Sequence, residues 1–347
     1  MGYAIGIDSH RRYSQITIME ADGHIVERQK VNNDRESLVK VLKPYAQPGS
    51  KAVLESGWNW GLVYDMVNSC IDEVKVAHPL KVKAIAEAKI KTDKISADTL
   101  AHLLRADLIP ECYVRNQESR QTQQVLRQRI FFVRMQTMVK NKIHSMIDRQ
   151  EYVREEALGY TDLFGSKGRE FLRNAAIPSL ERKLLDRQLE LLEQLKTKIS
   201  ATEIILGQLE ENDELVERLR TIPGIGKFFA MLIRHEIDKM ERFKTSDKLC
   251  AYAGLVPSTY SSGGKTYHGH IIKQGNKYLR WALIEAVVPA MRADAQIRNY
   301  YYAMKAKKGS NSAKVATARR LLKIVYQVWK ENRVYRNSFT RTALVTS

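Results

Sequence analysis

Hydrophobic and polar positions change rhythm twice along the chain. Near the N-terminus YAIGI (3–7) is a short apolar run that stops at Asp8, and YSQITIM (13–19) alternates with the period of a strand. ADGH (21–24) carries the Asp-Gly signature of a hairpin turn, and IVERQKV (25–31) reads as the returning strand. RESLVKVLKPYA (35–46) has helical period. AVLES (52–56) is a buried strand that ends on Glu55, GLVYDMVNSC (61–70) a helix, VKVAHP (74–79) a strand, and residues 81–106 are largely helical. A meander followed by alternating strands and helices predicts an α/β domain over residues 1–110.

The rhythm then becomes helical. Residues 117–150 form a long basic helix, with arginines at 120, 127, 129, 134 and 149 and lysines at 140 and 142. Residues 180–212 form another, with Leu185, Leu189, Leu192, Ile199, Leu206 and Leu209 on three–four spacing and Lys196 interrupting the seam. This pattern over 111–214 fits a coiled-coil arm or two amphipathic helices of a bundle. GYTDLFGSKG (159–168) reads as a loop between them. A third unit, 215–332, is mainly helical and opens with the Pro-Gly-x-Gly turn of TIPGIG. It continues through KYLRWALIEAVVPAMRA (277–293) and a last helix at 312–331, before a frayed tail over 333–347.

Composition narrows the classes. Of 347 residues, 44% are hydrophobic, enough for folded cores, and no apolar run is long enough to span a membrane. The start, MGYAIGIDSHRRYSQ, lacks the basic and apolar order of a signal peptide, and Gly6 stands where a myristoylation motif needs Ser or Thr. Cys70, Cys112 and Cys250 are scattered singly, which argues against a disulfide framework or a cysteine zinc site and suits a reducing cytoplasm. Charge changes the picture most. Lys and Arg number 57 against 39 acids, a net +18, which favours a polyanionic partner and nucleic acid above all.

Three acids stand where they are awkward for folding and useful for chemistry: Asp8 and Glu55 at strand ends, and Asp93 at the start of the helix in KTDKISADTLAHLL. Sites of open α/β sheets gather beyond the carboxyl ends of strands. Clustered carboxylates repel unless a divalent cation lies between them, and Mg²⁺ or Mn²⁺ suits such oxygens. The order strand–Asp, hairpin, strand–Glu, helical Asp follows the logic of a ribonuclease H-like nuclease fold. Acids at strand ends also cap helices and pair with bases, and Lys91 and Lys94 flank Asp93. In the third unit, Gly224, Gly226 and Lys227 form a helix–hairpin–helix phosphate contact or an ordinary turn between packed helices. The stretch GLVPSTYSSGGKTYHGHIIKQGN (254–276) places Ser261 and Ser262 beside two glycines, with Lys265, His268, His270 and Lys273 around them.

Taken together, IGIDSH, VLESGWNWG, VAHPLKVK, KTDKISADTLAHLLRADLIPE, TIPGIG, LCAYAGLVPSTYSSGGK and IIKQGNKYLRWALIEA resemble the transposases of the insertion-sequence-110 family along nearly the whole chain. The resemblance implies a RuvC-like N-terminal domain with a tetrad of Asp, Glu, Asp and Asp. Asp8, Glu55 and Asp93 match the first three, and Ser96 stands at the place of the fourth. Three possibilities stay open for it: Ser96 holding metal-bound water, Asp98 turning in, or three acids sufficing. The resemblance also implies a C-terminal serine nucleophile in the SSGG segment, Ser261 ahead of Ser262, with Lys265, His268 and Lys273 steadying phosphate charge. It further implies donor and target double-stranded DNA, a structured noncoding guide RNA, and a homodimer or homotetramer with a composite site, in a bacterial or archaeal cytoplasm and away from membranes. Two other readings share the charge: a Holliday-junction-resolvase-like nuclease that needs only the carboxylates, and a non-catalytic nucleic-acid-binding protein.

Overall fold

The computed structural model describes residues 2–86, 92–209, 213–262, 265–272 and 274–336; of residues 259–262, 265, 266, 268 and 270 it describes the backbone alone. The chain divides into two compact units, Met1–Arg115 and Asn116–Ser347. The division falls a few residues beyond the expected boundary at 110, because a short strand at Glu111–Cys112 still pairs with the first unit's sheet.

The first unit is built on a six-stranded mixed sheet. Its strands are β1 (Ala4–Ser9), β2 (Tyr13–Met19), β3 (Ile25–Asn32), β4 (Lys51–Glu55), β5 (Glu73–Ala77) and β6 (Glu111–Cys112), in the order β3-β2-β1-β4-β5-β6. The β1–β2–β3 meander is antiparallel, β1, β4 and β5 run parallel, and β6 closes the edge antiparallel. Helices α1 (Arg35–Leu42), α2 (Trp60–Val67), α3 (Pro79–Ile85) and α4 (Asp93–Arg105) complete the unit.

Strand residues alternate between the two faces of a sheet. Ile5, Ile7, Ala52, Leu54 and Val76 therefore share one core with Leu38 and Leu42 of α1 and Val63 and Val67 of α2. Ala4, Val53 and Ala77 form the other, against Leu100, Ala101 and Leu104 of α4. This is the mixed α/β arrangement expected of a ribonuclease H-like domain.

In the second unit two 31-residue helices, α5 (Gln117–Ile147) and α8 (Ser179–Leu209), lie antiparallel. Leu126 and Ile130 near the start of α5 share a core with Leu206, whereas Val139, Ile143 and Ile147 near its end share one with Leu185, Leu189 and Leu192. Between them come α6 (Glu151–Leu158) and α7 (Ser166–Asn174), so the stretch read as a loop ends in the first turn of a helix. Lys196 does not break the seam: it stays exposed, and the buried positions pass through Leu195 and Thr202.

The remainder comprises α9 (Glu214–Arg220), α10 (Lys227–Ile237), α11 (Ser246–Tyr252), the hairpin β7 (Pro257–Ser262) and β8 (Lys265–Ile271), α12 (Lys277–Ala293) and α13 (Ala295–Lys330). Within α13, Gly309 leaves helical geometry at φ +78°, so two helices meet there at a kink. The expected frayed tail is anchored as far as it is described. The Tyr335 hydroxyl donates to Asp294 Oδ2 at 2.8 Å, and its backbone N–H to Thr221 Oγ1 at 2.8 Å. The three cysteines are free thiols, and burial pushes Cys250 up to about 11. No described helix is long and apolar enough to cross a membrane.

Candidate metal centre and serine hairpin

The close approach of α4 to β1 organises the first site. A Cβ on Gly6 would lie 2.1 Å from the Ala97 carbonyl oxygen and 2.6 Å from the Ala101 nitrogen, so only glycine lets helix and strand touch there. Thr92 caps α4, its side chain accepting from the Ile95 N–H at 3.3 Å. Asp93 stands one turn before Ala97, and that turn brings it to the end of β1 where Asp8 emerges.

Asp8 lies on the same face of the sheet as Gly6, two residues along the strand. His10 Nε2 is 3.7 Å from Asp8 Oδ2 and 3.2 Å from Asp93 Oδ2. Ligand atoms of Asp8, His10 and Asp93 all lie within 4.8 Å of one another. Tyr13 donates its hydroxyl to Asp93 Oδ2 at 3.1 Å; that bond, ahead of desolvation and the nearby carboxylate charge, pushes the Tyr13 pKa up. The His10 ring packs on Tyr13 at 4.8 Å, and its carbonyl accepts from Asn33 Nδ2 at 2.6 Å and Asn59 Nδ2 at 2.8 Å. Backbone and ring are thus both held, and the imidazole has little freedom to leave the carboxylates.

The expected acids separate in their surroundings. The parallel register pairs Ile7 with Leu54, so Glu55 follows at the end of β4 beside Asp8, although the close-set group of ligand atoms does not include it. Asp98 is committed elsewhere. It accepts from Arg28 Nε at 3.0 Å, from a second Arg28 nitrogen at 3.0 Å and from Thr17 Oγ1 at 2.7 Å, bonds that tie α4 to β2 and β3. Ser96 is one helical turn from Asp93, and its buried Oγ has no hydrogen-bond partner among the described residues. Sequence reasoning passed over His10; its only signal was the Asp-Ser-His spacing at the end of a strand.

The donor set fits a divalent ion. Two carboxylate oxygens and an imidazole nitrogen converge, His10 Nε2 meets neither acid in hydrogen-bond geometry, and among the described residues Ser96 Oγ has no partner, one turn from Asp93. Such a set suits Mn²⁺ as well as Mg²⁺, since imidazole adds a softer donor to the hard oxygens.

In the second unit the two serines end the strand β7. Ser261 pairs in register with Thr266, and Ser262 with Lys265. Gly263, Gly264 and Lys273 lie outside the described residues, as do the side chains of Ser261, Ser262, Lys265, His268 and His270. The feet of the hairpin are fastened firmly. The Ile272 N–H donates to the Val256 carbonyl at 2.9 Å and the Asn276 N–H to the Tyr252 carbonyl at 2.8 Å. Asn276 caps α12 and also donates from Nδ2 to Glu236 Oε2 at 2.6 Å. Glu236 is fully buried and receives further bonds from Gln123 and, through two nitrogens, from Arg127.

The Pro-Gly-x-Gly turn lies between α9 and α10. Gly224 has φ +81°, and a Cβ there would come within 2.3 Å of the Ala286 carbonyl oxygen, so it serves the packing of the turn on α12. Gly226 and Lys227 are exposed at the start of α10.

Comparison with known proteins agrees with these two regions. Residues 5–150 match a family model of DEDD transposases of the IS110 group, described as a transposase, and residues 216–302 match the transposase IS116/IS110/IS902 family. A probable family 20 transposase of Pseudomonas aeruginosa is 30% identical over 159 residues, 42% of this chain and 47% of that protein. The transposase for insertion sequence element IS1111A of Coxiella burnetii is 26% identical over 272 residues, 74% of this chain and 71% of its own length. A putative transposase of Sinorhizobium fredii is 22% identical over 96% of this chain and 86% of its own length. The chain spans about half the length of the Pseudomonas relative and more of the other two. With transposase models of the IS110 group matching residues 5–150 and 216–302, and IS110-type transposases among its relatives, the protein belongs to the IS110 family of transposases.

Proposed function

We propose that the chain is an insertion-sequence transposase that breaks and rejoins DNA, with a divalent-cation site in its first unit and a serine nucleophile in its second. The convergence of Asp8, His10 and Asp93 beyond the end of β1 carries this reading. These three would hold Mg²⁺ or Mn²⁺, with Glu55 on the neighbouring strand, and the cation would supply charge stabilisation at a phosphate. Ser96, at the fourth acid's place, has a buried Oγ without a hydrogen-bond partner among the described residues, which would be available to water held by a cation there. Asp98, held by Arg28 and Thr17, keeps α4 on the sheet.

Ser261 is the proposed nucleophile, with Ser262 the alternative. Its Oγ gives up a proton and bonds to a DNA phosphorus while the displaced sugar oxygen takes a proton up. Attack by the incoming strand's hydroxyl reverses those bonds and frees the serine, so phosphodiester energy is conserved. Lys265, His268 and Lys273 would steady the phosphate, and the exposed Gly226 and Lys227 would hold backbone beside it. The net charge of +18 suits a protein that holds donor DNA, target DNA and a structured noncoding guide RNA together. Two subunits or four would bring carboxylate and serine units together in composite sites.

A nuclease of the junction-resolving kind is the second reading, favoured by one observation: the cluster of Asp8, His10 and Asp93 lies wholly within the first unit. A cell-based junction assay separates the two, using the protein, the noncoding RNA flanking its element, and a donor–target pair. Loss of junctions in Asp8→Ala and in Ser261→Ala or Ser262→Ala is expected. Normal junctions in both serine variants with none in Asp8→Ala would remove the serine from the chemistry.

A further inference from the structure

Trp58 is 94% exposed, the most exposed large hydrophobic side chain among the described residues. Burying an indole is among the largest single apolar gains a chain can make, so leaving one in water calls for a reason. The chain two residues on has no difficulty burying another: Trp60 packs on the core beneath α2 and meets Tyr64 edge-on at 6.3 Å. Trp58 is held out on a short loop between Glu55, the last residue of β4, and Asn59, the cap of α2.

That loop is braced against the candidate metal centre. Asn59 Oδ1 accepts from Ser9 Oγ at 3.1 Å, and Asn59 Nδ2 donates to the His10 carbonyl at 2.8 Å. The Gly57 N–H donates to the Glu55 carbonyl at 2.8 Å. On the other side of the same residues, Arg11 and Arg12 stand exposed at the tip of the β1–β2 turn, which the His10 N–H closes on the Tyr13 carbonyl at 2.9 Å. The loop that carries the exposed Trp58 and the turn that carries the exposed Arg11 and Arg12 thus both adjoin His10, the first through Asn59 and the second along the chain.

The geometry points to a strand-opening contact: Trp58 stacks on an unpaired base of the DNA strand that crosses the carboxylates, while Arg11 and Arg12 hold its phosphates. An aromatic face accepts any base and guanidinium groups take phosphate oxygens without reading sequence, so the pair grips single-stranded DNA of any sequence. The inference rests on the reading of the first unit as a DNA-cutting domain, and it adds the form of DNA that the unit takes: a locally unpaired one.

The test is fluorescence anisotropy of the full chain on two DNA probes in Ca²⁺ buffer, a continuous duplex and the same duplex with a short gap carrying 2-aminopurine. Wild type should bind the gapped duplex and quench the 2-aminopurine. Trp58→Ala should bind it about 5- to 100-fold more weakly and lose the quenching, while its continuous-duplex binding changes little. Trp58→Phe, which keeps an aromatic face, should recover most of both. Equal binding and quenching by wild type and Trp58→Ala would overturn the stacking contact and leave the proposed function standing. Failure of wild type to bind either probe, both alone and with the noncoding RNA flanking its element added, would overturn the functional reading itself. A Trp58→Ala change in sedimentation with gapped-DNA binding intact would assign the indole to a contact between copies of the chain, and would overturn it too.

Discussion

His10 Nε2 stands 3.2 Å from Asp93 Oδ2, joining residues at the end of the first strand and the start of the fourth helix. The contact brings two elements that are distant in sequence into one candidate metal cluster. Asp8→Asn and Asp93→Asn should each abolish stabilisation by Mn²⁺, and His10→Ala should weaken it at least 10-fold while sparing Mg²⁺ more, because the imidazole is the softer donor. Thermal melts over a titration of each ion read both effects without any activity assay.

Asp98 has a different part from its neighbour five residues before. Arg28→Ala removes both guanidinium bonds that Asp98 accepts, leaving the Thr17 hydroxyl. The pair is partly exposed, so a loss of about 1 kcal/mol in unfolding free energy is expected. Metal affinity should be unchanged. A large loss of Mn²⁺ affinity in Arg28→Ala would return Asp98 to the ligand set.

Glu236 is a buried charge whose carboxylate is met by Arg127, Gln123 and Asn276. Breaking a buried pair from one side is costly. Arg127→Met, which removes the cation and leaves the carboxylate to Gln123 and Asn276, should cost about 2–3 kcal/mol in urea denaturation, and Glu236→Gln, which keeps an acceptor, clearly less. Because Asn276 lies just past the serine hairpin, both variants should also lower junction formation beyond what stability explains.

Tyr335 fastens the chain past the last helix to Asp294, and burial, with the hydrogen bond to Asp294, pushes its hydroxyl up to about 12. A phenol with a raised folded pKa contributes stability that is full below its unfolded value near 10 and is lost as pH rises toward 12. Wild type should therefore lose stability over that alkaline window more steeply than Tyr335→Phe, which should be about 1 kcal/mol less stable at neutral pH. Melts at stepped pH compare the two.

Local rhythm located many elements closely. Tyr13–Met19 alternates because Ile16 and Ile18 enter one core while the opposite face carries buried polar residues such as Thr17, bonded to Asp98 of α4, and Lys277–Ala293 is a helix from its Asn276 cap to its end. The cluster was half legible. Asp8 and Asp93 announced themselves as acids at element ends, but a lone histidine after a strand has no periodicity to mark it, and its role depends on a turn that folds it back. The commitment of Asp98 depended on which side of α4 meets the sheet, and its partners Arg28 and Thr17 lie on strands far away in sequence. The seam of α8 was misread at Lys196 because a helix buries whichever neighbouring residue turns inward, here Leu195.

The bare backbone contact at Gly6 has a consequence for the order of events in the cell. The first strand leaves the ribosome carrying Asp8 and His10, but their companion arrives only with α4, which Gly6 alone can receive. Until then Asp8 and His10 stand without Asp93, so the candidate cluster cannot form before α4 seats on Gly6.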